Sequence, residues 1–507
     1  MTDTLVTEYF HSWNVPAERA ALVSRQVAHW IDGAPVVSGM PIAVSEPSTG
    51  GRLTETLEAG VEVVDRAVAS ARQAFEGSWG ALRPLDREAL ILKLADSLEA
   101  HQDELAFLES VDVGKPLSQA FAIDIGGAVD CVRYFAGWAT KISGRTGDMA
   151  AYDKHFLGLT LRQPVGVVAA IAPWNFPLQT LIWKIGAAFA AGCTVVAKPS
   201  EVTPVSTLRL AELITQAGFP NGAFNVVNGT GAVTGAALVS HPGVNKVSFT
   251  GSTPSGLRVG TAALQNMTRL TLELGGKSPA LVFADSNVDA VVEGLYNGIY
   301  FNAGQVCDAT SRAIVDVRIY DEVRERLIER ATSVHVLPGL DPDSGMGPMV
   351  SGAHRAKVMS YIEQARADGL PFALDRSQLH DRGHFVGPVI VEDIPSAHPL
   401  WREEIFGPVL ALSRADGPGD VVCQARDTRY GLGAAIYSRD IGRVLAAARA
   451  IDAGTIYVNG YGFLDPAFPF GGLGMSGFGK DMGAEQMEAY LETKTLLVSG
   501  IELGLAG

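Results

Sequence analysis

The sequence predicts an α/β protein built on parallel, doubly wound sheets. From about Leu159 onward, short β-branched runs alternate with helical segments. Apolar strands of this kind need crossover helices to cover both faces, which is the signature of a parallel sheet. The 56 glycines and 26 prolines are spread along the chain as turns and loops rather than gathered in a low-complexity tract. With 507 residues, 47% of them apolar, the chain exceeds one ordinary core and has material for two or three domains.

The elements follow in order. Near the start, Pro16 stands where a first-turn proline is tolerated, and Ala20, Val23, Val27 and Trp30 follow at helical spacing. Val64, Val68, Ala71 and Phe75 make a second apolar stripe. Leu90, Leu94 and Leu98 make a third, beginning after Asp86 as its cap. The alternation then predicts strands over 166–171, 194–197, 224–227, 246–249 and 268–274. Helices are expected between them over 178–191, 206–217, 233–238 and 254–263. A second α/β unit runs from about Ser278 to Phe470, with strands at 280–283, 312–315, 389–391 and 409–412. The segment 496–499 reads as a lone terminal strand, of the kind that often pairs with another subunit. There is no internal repeat.

Charge and composition exclude several classes. Lys plus Arg number 40 and Asp plus Glu 55, for a formal charge of −15. An acidic surface repels phosphate backbones, and no basic run is present, so a nucleic-acid partner is not expected. The longest apolar stretches, 166–174 and 185–197, fall short of the roughly 20 residues that span a membrane. The first thirteen residues carry Asp3, Glu8 and His11 and lack the basic start and apolar core of a signal peptide. The four cysteines, Cys131, Cys193, Cys307 and Cys423, are isolated, with no CxxC pair and no metal-ligand spacing. A reduced, cytoplasmic protein without a metal site is expected.

Four strand-end segments carry possible chemistry. In Pro173-Trp174-Asn175-Phe176-Pro177, two prolines fix the backbone around an Asn whose amide N–H could face a developing oxyanion; a plain turn is the simpler alternative. Lys198-Pro199-Ser200-Glu201 follows a strand directly. Its Lys and Glu could hold ribose hydroxyls, with the carboxylate favouring NAD over NADP, or could be a solvated surface pair. In Phe249-Thr250-Gly251-Ser252, a strand enters a turn before a helix start, where free N–H groups suit pyrophosphate. This segment is not the GxGxxG dinucleotide fingerprint, and neither is Gly229-Thr230-Gly231, whose third glycine is misplaced at Gly235. Lastly, Glu273 stands at a strand end in Glu273-Leu274-Gly275-Gly276-Lys277, and 307 − 273 = 34 residues later Cys307 closes Gly304-Gln305-Val306-Cys307. That pairing permits a nucleophile and a base on facing elements. Cys131 and Cys193 sit in apolar runs and read as structural.

Together these segments closely resemble the aldehyde dehydrogenase superfamily, from about Trp30 to Val498. The motifs are PWNFP at 173–177, KPSE at 198–201, FTGS at 249–252, LELGGKSP at 272–279, FNAGQVC at 301–307, EEIFGPV at 403–409 and PFGG at 469–472. The resemblance implies the aldehyde dehydrogenase fold: a Rossmann-like NAD domain over 1–143 and 164–275, a catalytic α/β domain over 276–480, and a small β oligomerisation element over 144–163 and 481–507. It implies oxidation of an aldehyde to the acid with reduction of NAD. Cys307 would attack the aldehyde carbon and form a thioester, Asn175 and the backbone N–H of Cys307 would hold the oxyanion, and Glu273 would activate water for hydrolysis. Lys184 would support the site. Lys198 and Glu201 would take the adenosine ribose, Ser252 the pyrophosphate and Glu404 the nicotinamide ribose. Phe406 would pack near the nicotinamide, Gly231 and Gly235 would line the adenine cleft, and Ile171, Trp174 and Gly275 complete the cofactor set. A homodimer or homotetramer is expected.

The resemblance places Phe176, Trp183, Tyr461, Phe463 and Phe470 on the substrate tunnel, with Asp308 beside the nucleophile. An aromatic wall fits an apolar or aromatic aldehyde and also a cationic one, through cation–π contacts; Asp308 favours the cation. The run Ala309-Thr310-Ser311-Arg312 looks like betaine and aminoaldehyde dehydrogenases. Two positions depart from the common pattern: Gly474 where many relatives carry Lys, and Asp308 where small or thiol residues are common. The segment before Trp30 has no assigned role. The rival readings are an acylating enzyme that passes the thioester to coenzyme A, a reductase acting on activated acyl groups, and a non-catalytic binding protein that kept the fold. Glu273 argues against the first two, and intact Cys307, Glu273 and Asn175 argue against the third.

Overall fold

The run Val167-Val168-Ala169-Ala170-Ile171 has no polar face to offer water, so it forms a strand only where both faces are covered. In a computed structural model that describes residues 3–149, 151 and 156–499, it lies at the centre of an eight-stranded sheet, buried along its whole length. The five middle strands are parallel, in the spatial order Phe224–Val226, Thr194–Lys198, Val167–Ile171, Lys246–Thr250, Arg269–Glu273. The chain starts in the middle, builds outward on one side, then returns to build the other. The carboxyl ends of Val167–Ile171 and Lys246–Thr250 flank that reversal, the crevice in which open α/β sheets bind ligands. The helix Pro177–Ala191 begins with its proline in the first turn, is buried at every residue, and ends on Gly192 in the left-handed conformation.

A second, seven-stranded sheet has the order Phe372–Asp375, Val389–Glu392, Val409–Ala415, Arg312–Asp316, Pro279–Val282, Gly433–Tyr437, Thr455–Val458. All its pairs are parallel except the edge pair formed by Phe372–Asp375. The link between the two sheets runs from Glu273 to Pro279 through two glycines, so the end of one sheet leads straight into the start of the other. A third sheet joins Leu491–Ser499, Phe156–Pro164 and Thr146–Asp148 in antiparallel pairs.

Several expectations need correction. The N-terminal helix ends at Ser24, and Arg25 is already extended. Val27 bridges Thr56, and Trp30 lies in the strand His29–Ile31, opposite Val226, with its indole N–H bonded to Thr215 Oγ1 at 3.2 Å. The apolar residues Val27 and Trp30 match helical spacing by coincidence, and an open sheet edge wins over local propensity. An additional helix, Thr4–Ser12, is capped by Asp3. Asp86 does not cap the third helix. That helix starts at Pro84, and Asp86 sits in its first turn, where it pairs with Arg83 at 2.7 Å. The short helix expected over 233–238 opens as a π-helical turn, Gly231–Gly235, before Ala236–Val239. The terminal strand is not lone: Leu491–Ser499 pairs in register with Phe156–Pro164 of the same chain. Periodicity alone does not reveal that partner, whereas the family resemblance puts the two segments in one element. Residues 1–2, 150, 152–155 and 500–507, parts of the expected domains, lie outside the described residues.

Candidate active site

The carboxyl ends of the first sheet open onto a cavity of ≈ 1380 Å³. Ile171, Trp174, Asn175, Phe176, Trp183, Lys198, Glu201, Gly231, Gly235 and Ser252 all line it. So do Glu273, Gly275, Cys307, Asp308, Glu404, Phe406, Tyr461, Phe463 and Phe470. Lys184 alone of the sequence-derived residues stands behind the wall, fully buried, with Nζ 2.7 Å from Oδ2 of Asp481, itself a lining residue.

Cys307 reaches the cavity through a strained approach. Asn302, Ala303 and Gly304 have φ of 47°, 54° and 71°, three consecutive left-handed residues. Each non-glycine one costs about 1–2 kcal/mol, so the surroundings must hold the turn. Gln305 does so: its amide donates to Asn302 O at 3.0 Å and its Oε1 accepts from Val350 N at 2.9 Å. Asn175 Nδ2 donates to Gln305 O at 2.9 Å, and Asn302 Nδ2 donates to Asn175 O at 3.2 Å. The buried Lys115 adds a 2.9 Å bond to Asn175 O, ion-pairs with Asp124, and lies 3.9 Å from the Phe176 ring centroid. The Asn175 loop and the Cys307 loop are therefore stapled together.

Burial pushes the Cys307 thiol up, and the charges of Asp308, Glu404 and Glu273 push the same way. Glu273 is 3% exposed, and neither carboxylate oxygen has a hydrogen-bond partner. Burial raises its carboxyl well above the ordinary range, Asp481 adds to the rise, and Lys184 and Lys480 oppose it. A buried carboxyl group kept poor in donors suits proton exchange with a small molecule in the cavity. Any side chain at Gly471 would overlap the Glu273 carboxylate, which explains a glycine there.

The cofactor end of the cavity is tested by its own chemistry. Ser252 caps the helix Thr253–Leu264, whose free N–H groups face the crevice end. Lys198 Nζ lies 3.7 Å from Glu201 Oε2, and burial lowers the Lys198 ammonium. Gly231 has open space where a side chain would stand. Glu404 Oε1 accepts from Gly276 N at 3.1 Å, and burial lifts its carboxyl to about 7. Phe406, in the left-handed region at φ 63°, has its carbonyl bonded to His354 Nε2 at 2.7 Å, and both rings pack against Trp174. A ribose, a pyrophosphate and a flat ring each meet groups suited to them, so the residues fit a dinucleotide. Among the described residues no cluster of His, Cys, Asp or Glu could hold a metal, and no helix is long and apolar enough to cross a membrane.

Residues 34–496 match the family described as the aldehyde dehydrogenase family. The chain belongs to the aldehyde dehydrogenase family. It is 41% identical over 465 residues to aldehyde dehydrogenase 1A1 of Homo sapiens, covering 91% of this chain and 92% of that one. The NAD+ complex of an aldehyde dehydrogenase from Bacillus cereus superposes with a TM-score of 0.93 at 38% identity, covering 96% of this chain and 99% of that one. A betaine aldehyde dehydrogenase from Staphylococcus aureus, solved with NAD+, superposes at 0.91 with 35% identity, covering 95% and 96%. The enzyme is an NAD-dependent aldehyde dehydrogenase.

Lining residues that the sequence reading passed over are His354, Lys357, Asp481, Tyr457 and Phe301. Each is an isolated residue inside an ordinary element or loop, and only Phe301, the first residue of FNAGQVC, had a signal. Asp308 is held on both carboxylate oxygens, which accept from Tyr457 Oη at 2.7 Å and Tyr461 Oη at 3.0 Å.

Proposed function

We propose that the enzyme oxidises its aldehyde through covalent attachment to Cys307, with Asn175 as oxyanion donor and Glu273 as the base that activates water. The observation that carries this reading is that all three open on one cavity, with the Glu273 carboxyl buried and unbonded. The Cys307 thiol gives up its proton to water in the cavity, and the thiolate adds to the aldehyde carbon. Asn175 Nδ2 has a second N–H beyond the one given to Gln305, and with the Cys307 backbone N–H it stabilises the oxyanion. Lys198, Glu201, Ser252 and Glu404 would hold NAD in the cleft, where it would supply the acceptor for the hydride whose departure leaves a thioester on Cys307. Glu273 then takes a proton from water, the hydroxide adds to the thioester carbon, and release of the acid restores Cys307. A water-activating base supports hydrolysis over transfer to coenzyme A. Lys184, paired with Asp481, places a positive charge near the base and opposes the rise of its carboxyl.

The first sheet's unit would carry the cofactor and the second the nucleophile, with the three-stranded arm as the assembly element. Leu161 and Leu496 are exposed on one face of that arm, an apolar surface suited to a second copy of the chain. The free cysteines suit a reducing cytoplasmic setting, where Cys307 stays a thiol.

The test is NADH absorbance over an aldehyde panel, with and without coenzyme A, for the wild type and Cys307→Ala. The variant is expected to bind NAD and oxidise nothing. Turnover near the wild-type rate in Cys307→Ala would end the covalent reading.

A further inference from the structure

The side chain of Lys115 is wholly buried, and the chemistry proposed above gives it no task. Its place follows from the local sequence. The helix Gln102–Val113 ends on Gly114 in the left-handed conformation at φ 92°, and Pro116 disfavours a further helical turn at Lys115. The ammonium makes three contacts. It ion-pairs with Asp124, donates to the backbone carbonyl of Asn175 at 2.9 Å, and lies 3.9 Å from the centroid of the Phe176 ring. A buried ammonium needs such partners, because a bare charge in a dry site is strongly destabilising.

Asp124 stands in a π-helical turn, Ala120–Ile125. Turns of this kind are rare and occur frequently at functional sites. This one shows Ile123 to the cavity, while Asp124 is fully buried. Gln179 Nε2 donates to Ile123 O at 2.9 Å and so ties the turn to the helix Pro177–Ala191. A second buried carboxyl, Glu109, adjoins Asp124. Burial raises both carboxyls, and Lys115 opposes the rise at each. Asp124 accepts from the ammonium, whereas neither oxygen of Glu109 has a hydrogen-bond partner. Glu109 is therefore the carboxyl that keeps its proton, and Lys115–Asp124 is a closed, neutral pair.

The carbonyl of Asn175 has a second buried donor, Asn302 Nδ2 at 3.2 Å, from the turn that precedes Cys307. Two donors on one carbonyl oxygen fix the peptide plane between Asn175 and Phe176. The Cα of Asn175 lies at one end of that plane, so its side chain is placed with it. The bond from the ammonium is charge-assisted and is the stronger of the two. A displacement of about 1 Å in a group that meets the reacting atoms costs about a hundredfold in rate.

We infer that Lys115 is a positioning residue of the reaction: clamped by Asp124, it holds the Asn175 peptide in the place from which the side-chain amide meets the oxyanion. The inference rests on the oxyanion reading of Asn175 given above and deepens it. Lys115 does not line the cavity, so it acts through Asn175.

The test is a double-mutant cycle on the full-length enzyme. It reads kcat/KM at saturating NAD for acetaldehyde, hexanal or benzaldehyde, whichever turns over fastest. Lys115→Met removes the ammonium at similar length. It is expected to lower kcat/KM about thirtyfold in the wild type and less than about twofold in Asn175→Ala. An equal loss in both backgrounds would overturn the inference, because Lys115 would then act elsewhere. Lys115→Met also leaves Asp124 buried without its partner, which by itself unsettles the fold. The variant Lys115→Met/Asp124→Leu replaces the pair by apolar groups. It is expected to regain most of the lost Tm and yet keep the loss in kcat/KM, because no ammonium returns to the Asn175 carbonyl. Recovery of kcat/KM together with Tm would make Lys115 a structural residue and overturn the inference. Should Lys115→Met fail to fold, Lys115→Met/Asp124→Leu takes its place in the cycle. Asn175→Ala as active as the wild type would defeat the oxyanion reading itself and the inference with it, an outcome distinct from an additive cycle.

Discussion

The side-chain amide of Asn175 donates a 2.9 Å hydrogen bond to the backbone carbonyl of Gln305, two residues before Cys307. This bond ties the carboxyl end of one sheet to the loop that presents the thiol from the other. It also spends one of the two amide hydrogens and leaves the other for the oxyanion role proposed above. Its importance can be measured at several points.

Asn175→Ala is expected to lower kcat by about 10²–10³, the usual effect of deleting one oxyanion donor. NAD affinity, read by protein fluorescence, should change little. A kcat within about fivefold of the wild type would remove Asn175 from the proposed chemistry.

Glu273→Gln should acylate and then stall. The expected result is a burst of about one NADH per site, then slow turnover, with a single acyl adduct in the intact mass. Ordinary steady-state turnover without adduct would show that another group activates water.

Burial raises both the Cys307 thiol and the Glu273 carboxyl, and both are reactive when deprotonated. Activity is therefore expected to fall as pH drops, with rising limbs toward alkaline pH in kcat/KM and kcat. In Glu273→Gln the limb that belongs to the base should vanish while the thiol limb stays. The same shift has a sign for stability. Folded Glu273 holds its proton more tightly than the unfolded chain, so its contribution falls as pH rises from the ordinary carboxyl range toward the raised folded value. Denaturant titrations across that window should show a shallower decline for Glu273→Gln than for the wild type, and parallel curves would contradict the shift.

The pair Lys184–Asp481 is buried on both sides, with side chains 0% and 1% exposed. Removing one partner leaves a buried charge, so Asp481→Ala should cost about 3–5 kcal/mol in a denaturant melt. The double variant Lys184→Met/Asp481→Leu should recover much of that loss. Equal destabilisation by the single and double variants would mean that packing, not charge, is at stake.

Much of the site was legible because its residues cluster in short motifs at strand ends. Asn175, Lys198, Ser252 and Glu273 stand at or just after the ends of parallel strands of the first sheet, which lie on one side, and Cys307 follows a glycine turn ahead of the strand Arg312–Asp316. What stayed hidden came from single residues with no local pattern. His354 sits inside an ordinary helix and reaches Phe406 O across 52 residues. Asp481 meets Lys184 across 297 residues. Trp30 left its expected helix for the same reason, because a sheet edge built from residue 226 was waiting for it.

The sequence by itself determined the alternation of strand and helix, which follows from periodicity, and its motifs marked the candidate site residues through their resemblance to the family. Only the tertiary structure decided how charge is distributed around Cys307. Asp308 reads in the sequence as a carboxylate beside a nucleophile, ready for a cationic substrate. Folding brings Tyr457 and Tyr461 from about 150 residues away onto its two oxygens. Hydrogen bonding in a buried site depends on who stands within 3 Å, and sequence spacing carries no record of that distance.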